Sequence, residues 1–411
     1  MEIGRIDRNP DAPDPAPRQR SGRDLDREAA ERLDEIRQYF SDQYARRDVV
    51  TRTTTPNGQE LDWVPAESQG NGPLAEPPDL APPEYSQDTD RPTRPMPFPL
   101  AEAKDLVGPP PGTVPLLRKP LDQIHPVGDL DDYLSKGPRK QRITAPDDPG
   151  LASPPAADAD HKYALAVQYV TNFGTEGTIN TWRPFVQWSN EFSLGQLWLQ
   201  RGSGIGTDLQ TVEVGAQTYR DLYGDWNPHL FIFYTTNNYK HRGDNLGGYN
   251  RDVAGWQQRS QVVFPGMRLA ESVPGGDQYD LSLKVTLSLG NWWVRVGNEW
   301  MGYYPNGLFS NAGLRNQAAR VDWGGEIVDD LAFHPEPTST WMGSGHFPPA
   351  GWQNAAYMRN LTYQTDAGGT MTSYQGFASA TNPNAYQIAA DFSGASTWGS
   401  YFFWGGPGGV A

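Results

Sequence analysis

Between residues 281 and 289 apolar and polar side chains alternate without a break. Leu281, Leu283, Val285, Leu287 and Leu289 fall on one face, and Ser282, Lys284, Thr286 and Ser288 on the other. A period of two predicts a half-buried antiparallel strand. "YALAVQYV" (163–170) begins in the same way, and "LFIFYTT" (230–236) and "NWWVRVGNEWMGYYP" (291–305) add aromatic and β-branched runs broken by Gly, Asn and Pro. Many short strands separated by turn residues, with few helical windows, predict an all-β fold, an antiparallel sandwich or barrel. "NAGLRNQAARV" (311–321) reads as a helical turn or a strand edge. A helical period occurs at 23–47, where Leu25, Ala29, Leu33, Ile36, Phe40 and Tyr44 recur among charges. This predicts one amphipathic helix, which must dock on its own domain or on a partner.

Proline and tryptophan divide the chain. Of 37 prolines, 26 precede residue 156, whereas 13 of 14 tryptophans follow residue 180. Residues 1–22 read as disordered, and 70–157 as a proline-rich strap or connector, since proline at that density blocks helix and central strand. The organisation predicted is a first part, 23–157, with one helix, followed by a β domain over 158–411 that is long enough to bury its own core.

The net charge of −15 argues against a nucleic-acid partner, which requires clustered Lys and Arg. "RKQR" (139–142) is a short basic run. There is no cysteine, so disulfides, thiolate catalysis and thiolate metal sites are excluded. No apolar signal-peptide core and no run of about 18 apolar residues is visible, which predicts a chain without a membrane span.

HExxH, GxSxG, the P-loop and the dinucleotide fingerprint are all absent, and the six histidines are scattered. No cofactor or metal is expected. Carboxylate-plus-water chemistry and pure binding remain. Two carboxylates stand apart from those in polar loops: Glu213 in "TVEVGAQTYRDLYGD" and Glu326 in "VDWGGEIVDD". Each reads equally as an outward-facing strand carboxylate or as a site residue. Gly215 near the first, and Gly324 and Gly325 beside the second, favour the site reading, because bare backbone admits an extended peptide or sugar.

Several ordered blocks then carry a resemblance: "FSLGQLWL" (192–199), "VEVGAQTYRDLYGD" (212–225), "LFIFYTTNNY" (230–239), "GGYN" (247–250), "GNWWVRVGNEWMGYYPNGLF" (290–309), "WGGE" (323–326), "MGSGHFPPAG" (342–351) and "YFFWGGPGG" (401–409). Over roughly 161–405 the chain resembles the neprosin-type glutamic peptidases. "GTVPLLRK" (112–119) looks like a motif of their activation segment. The chain departs from that pattern at Ala216, where the family commonly has Trp, a change expected to reshape the floor near Glu213. It departs again at Gly248 and Val253, where the family often has a short disulfide loop.

The resemblance implies an antiparallel β-sandwich whose catalytic pair falls on Glu213 and Glu326. It implies an endopeptidase acting at acid pH, secreted, with the first part as an inhibitory pro-segment released by acid at about pH 4 and a polypeptide substrate that includes proline-containing sequences. Gln196 and Trp198 are expected to line the cleft, Trp323 to wall it, Gly324 and Gly325 to admit the substrate backbone, and Ser344 and His346 to support it. The rival readings are a carbohydrate-binding sandwich and a glycosidase, since tryptophans and paired carboxylates suit sugars too.

Overall fold

The computed structural model describes residues 23–70, 74–79, 88–102, 109–124, 129–136, 161–203, 207–330 and 336–409. The segment 1–22, the basic run 139–142 and the boundary expected at 157/158 lie outside these. The amphipathic pattern forms helix α1 (Arg23–Ala45), which buries Leu33, Ile36 and Phe40. It stops two residues short of the predicted end, where Arg46 and Arg47 turn back on the carbonyls of Gln43 and Tyr44.

The strands of the first part are β1 (Thr51–Thr54), β2 (Glu60–Pro65), β3 (Arg94–Pro95) and β4 (Thr113–Leu117), with the short helices α2 (Pro99–Glu102) and α3 (Leu130–Tyr133). Strands β1, β2 and β4 form a small sheet. Buried Asp62 ties it together through Arg47, Arg52 and Arg118 at 3.0, 2.9 and 2.9 Å. The strap therefore contains strand after all. Pro115 lies opposite Trp63 in β4, an edge position where a missing N–H is tolerated.

The β domain continues with β5 (His161–Asn172), β6 (Gly174–Asn180), β7 (Phe192–Arg201), β8 (Gln210–Tyr219), the helical turn α4 (Arg220–Tyr223), β9 (His229–Thr235), β10 (Gly247–Tyr249), β11 (Gln257–Gln258), β12 (Tyr279–Ser288), β13 (Asn291–Val296) and β14 (Glu299–Pro305). The last strands are β15 (Ala318–Val328), β16 (Ala356–Gln364), β17 (Met371–Ser373), β18 (Phe377–Ala380), β19 (Gln387–Asp391) and β20 (Tyr401–Gly405). A seven-stranded sheet in the order β10-β9-β8-β7-β15-β5-β18 faces a larger sheet whose spine is β11-β14-β13-β12-β6-β16-β20-β19. Its pairs are antiparallel except where β3 adds in parallel to β12, so the predicted antiparallel sandwich is the observed class. The ambiguous run 311–321 resolves into turns feeding β15.

The alternating strand differs from expectation on its polar face. Lys284 and Thr286 are buried, because Glu176 of β6 accepts from Lys284 at 2.9 Å and also pairs with Arg295 of β13. Leu289, counted on the apolar face, is instead 86% exposed in the turn after β12.

Alternation along β15 divides its side chains between two environments. Gly325 and Trp323 face the second sheet, whereas Glu326 and Gly324 face outward. A Cβ on Gly325, or on Gly195 beside it in β7, would overlap the Trp404 ring, and one on Gly177 of β6 would press on Trp323. A Cβ on Gly324 would strike the Ala164 carbonyl of β5. These glycines thus admit two tryptophans and a neighbouring strand, and the room expected there for a peptide is already filled. Gly325→Ala is expected to destabilise the fold by about 1–3 kcal/mol through overpacking, read as a lowered thermal unfolding midpoint.

The loop expected to lack its disulfide is held by packing and hydrogen bonds. Val253 lies against the bare Cα of Gly248, and Asn250 closes on Ile232 with bonds of 2.9 and 3.1 Å.

Candidate active site

Antiparallel register brings the two singled-out carboxylates to one face. Glu213 of β8 lies opposite Trp198 of β7, Gln196 lies opposite Gly324 of β15, and Glu326 lies opposite Tyr163 of β5. Glu213, Glu326, Gln196, Trp198 and Tyr163 therefore share the outward face of the seven-stranded sheet. That face is covered, and Glu213, Glu326 and Gln196 are all at most 1% exposed.

The cover is the end of the first part. Helix α3, capped by Asp129 accepting from the N–H of Asp132, anchors Tyr133 to the Leu222 carbonyl at 3.3 Å. It then delivers Lys136 between the carboxyls. The Lys136 Nζ lies 2.5 Å from Glu213 Oε2, 2.7 Å from Glu326 Oε2 and 3.2 Å from Gln196 Oε1. It also lies 5.1 Å from the centre of the Trp198 ring system, within cation–π range.

Each carboxyl also has partners on its outer side. Glu213 Oε1 accepts from the Thr211 hydroxyl at 2.8 Å and from the Tyr239 hydroxyl. Tyr239 is carried by a loop in which Asn238 and Tyr239 both have φ near +60°, a conformation costly for side-chain-bearing residues and frequent at functional sites. Its ring stacks on Phe233. Glu326 Oε1 accepts from His161 Nδ1 at 2.6 Å, and its Oε2 from Gln196 Nε2 at 2.9 Å. Burial alone would raise the Glu326 carboxyl. The charge of Lys136, followed by the hydrogen bond and charge of His161, outweighs it and holds the group down to about 2.

Of the residues expected at the site, Gln196 and Trp198 meet the carboxylates or their lysine. The indole N–H of Trp198 is buried without a hydrogen-bond partner among the described residues. Trp323 does not wall the site. It lies on the opposite face of β15, where its Nε1 donates to Thr175 at 3.0 Å. Ala216 likewise faces the second sheet, beside a cavity of about 20 Å³ also lined by Ile179, Trp182 and Trp404, so its change leaves the floor at Glu213 untouched. Ser344 and His346 sit in the loop packed on β20. There the Ser344 hydroxyl accepts from the His346 N–H at 3.2 Å, and among the described residues neither is hydrogen-bonded to the carboxylates.

Lys136, His161, Thr211 and Tyr239 escaped the sequence reading. A signal existed for Lys136 alone, since two buried carboxylates facing each other call for a cation. The other three depend on register and loop path.

Fold and site define the class: an antiparallel β-sandwich holding a buried glutamate pair on one sheet. Residues 189–407 match the family model for Neprosin, and the chain belongs to the Neprosin family. It is a peptidase of the glutamic class, a hydrolase acting on peptide bonds. The match begins after β6, so the first part and the strand bearing His161 precede it. Among solved structures the chain is similar to scytalido-glutamic peptidase with a transition-state analogue inhibitor, at 10% identity and a TM-score of 0.30, over 60% of this chain and 98% of that one. It is also similar to SCP-B, a member of the eqolisin family of peptidases, in complex with a tripeptide, at 10% identity and a TM-score of 0.28 over the same shares.

Proposed function

We propose that the protein is an endopeptidase working at acid pH with Glu213 and Glu326 as its catalytic pair, made as a zymogen whose first part inhibits it. One observation carries the reading: two glutamates from different strands converge on a single point, and a lysine of the preceding segment fills it. In the open enzyme a water and the scissile carbonyl take that place.

Two facing carboxyls titrate as a coupled pair and hold one proton between them at acid pH. The anionic member takes a proton from water while the water oxygen bonds to the carbonyl carbon. The protonated member gives its proton to the carbonyl oxygen. The resulting diol collapses as its C–N bond breaks. The first carboxyl passes its proton to the leaving nitrogen, the second regains one from a hydroxyl, and an acid and an amine depart. Gln196, whose amide donates to Glu326 and accepts from Lys136, is suited to hold the oxyanion.

The pro-segment reading draws on its docking. Besides Lys136, the Tyr39 hydroxyl and Gln43 amide donate to the Asp252 carbonyl at 2.6 and 2.7 Å, and Lys119 pairs with the Asp252 side chain at 2.9 Å. Secretion and proline-containing substrates belong to the same proposal and rest on the family alone. Among the described residues no helix is long and apolar enough to cross a membrane.

The Glu326 carboxyl is lowered from 4.5 to about 2 when paired with Lys136 and His161. The stabilisation from these partners is therefore complete above its ordinary value, and is lost progressively as pH falls from there through about 2. Release at about pH 4, as the sequence suggested, moves down. Full-length protein followed by mass and by hydrolysis of a denatured protein substrate is expected to stay intact and silent at about pH 7 and about pH 4, and to process itself towards about pH 2–3. Rapid self-processing at pH 4 would contradict the lock, and absence of peptide cleavage at every acid pH would contradict the function.

A further inference from the structure

Stripped of Lys136, the two carboxyls are not equivalent. Both Oε2 atoms would face the substrate, but their outer oxygens have different partners. Glu213 keeps two neutral hydroxyls, from Thr211 and Tyr239, and Glu326 keeps an imidazole. Resting on the carboxyl-pair reading above, we infer that His161 is a positioning residue that decides the division of labour: as an imidazolium it holds Glu326 as the anionic base, and the shared proton resides on Glu213, the acid.

The placement of His161 follows from register. Tyr163 lies opposite Glu326, and His161, two residues earlier, lies opposite Val328 on the same face. Its ring is fixed by Tyr163, stacked at 6.2 Å, and by the edge of Phe192 at 6.0 Å, and its side chain is 12% exposed. Among the described residues, the charged or titratable groups facing it are Glu326 from β15, Lys136 from the pro-segment and Tyr163 from its own strand, while β7 presents the apolar Phe192. Once the pro-segment leaves, Lys136 leaves with it, and His161 is the cation left beside the pair among these groups. An imidazole is protonated at acid pH, and a cation in contact favours the ionised carboxylate beside it. Hydroxyl donors to Glu213 also favour its anion, but a full charge at 2.6 Å outweighs neutral donors.

The test is kcat/KM against pH for a fluorogenic peptide, using the full chain in a Lys136→Ala background with and without His161→Asn. The Asn amide can replace the Nδ1 donor but carries no charge. The acid limb is expected to rise by about one pH unit, so activity at about pH 3 falls about ten-fold while that at about pH 5 stays within about two-fold. His161→Lys, which restores a cation, is expected to return the limb towards its original position. His161→Gln serves in place of His161→Asn if the latter fails to unfold cooperatively. An acid limb that stays in place, or a loss equal at every pH, overturns the inference while leaving the peptidase reading intact. A background that shows no peptidase activity at any pH, in its processed form as well as intact, overturns both.

Discussion

Replacing Lys136 with alanine is expected to turn the intact chain from a silent protein into an active peptidase. The ammonium is 5% exposed and touches both catalytic candidates, so it is one member of a buried ionic triad. Removing one member of such a group typically costs about 3–5 kcal/mol, because the remaining charges stay buried and unpaired. Here the cost falls on the docked state of residues 129–136, and the carboxylates can relieve it by expelling the segment. At about 1.4 kcal/mol per factor of ten, docking should weaken by two to three orders of magnitude. Hydrolysis of a short peptide by full-length Lys136→Ala, with its mass checked before and after the assay, measures this directly. If the intact variant remained as silent as the parent while a processed form cleaved the peptide, the lock would lie elsewhere in the first part.

Glu326→Gln and Glu213→Gln, each placed in that active background, are expected to lose activity by about 10²–10⁴, the range of general acid–base contributions. Glutamine preserves the shape of the side chain but can neither accept the proton of water nor supply one to the carbonyl. The double variant should lose little more than either single one, because residues acting as a unit do not contribute additively. Circular dichroism and thermal unfolding of each variant separate loss of chemistry from loss of fold. Full activity in either single variant would remove that glutamate from the pair. A carbohydrate-binding sandwich, by contrast, would show no peptide cleavage even in the Lys136→Ala background.

The legible parts of this protein are those encoded over short distances. Period-two alternation at 281–289 and aromatic runs at 230–236 and 291–305 each became strands, because a sheet with a buried face must repeat every second residue. The three- and four-residue steps of 23–47 became α1 for the matching reason. Glycine was legible as a signal and misleading as to cause. The pair before Glu326 does mark a close approach, but what approaches is Trp404 and the backbone of β5. Pattern alone cannot say which side of a strand a glycine opens, or what partner fills it.

Trp323 failed for a related reason. It lies three residues from Glu326 in sequence, but on an extended strand an odd separation puts two side chains on opposite faces. Lys136, by contrast, lies 77 residues before Glu213 and 190 before Glu326, beyond any local pattern, and touches both.

By itself, then, the amino-acid order determined the β-sandwich class, the docking helix, the contrast between a proline-rich first part and a tryptophan-rich remainder, and the identity of two unusual carboxylates. These rest on periodicity, on proline's missing N–H and on glycine's missing side chain, all local properties of the chain. Only the tertiary structure decided what surrounds those carboxylates. Register set Gln196 between them, a left-handed loop supplied Tyr239, the first strand of the β domain supplied His161, and a turn after α3 supplied Lys136. Electrostatics at 2.5–2.9 Å governs how a carboxylate behaves, and distances of that kind are set by the packing of strands far apart in sequence.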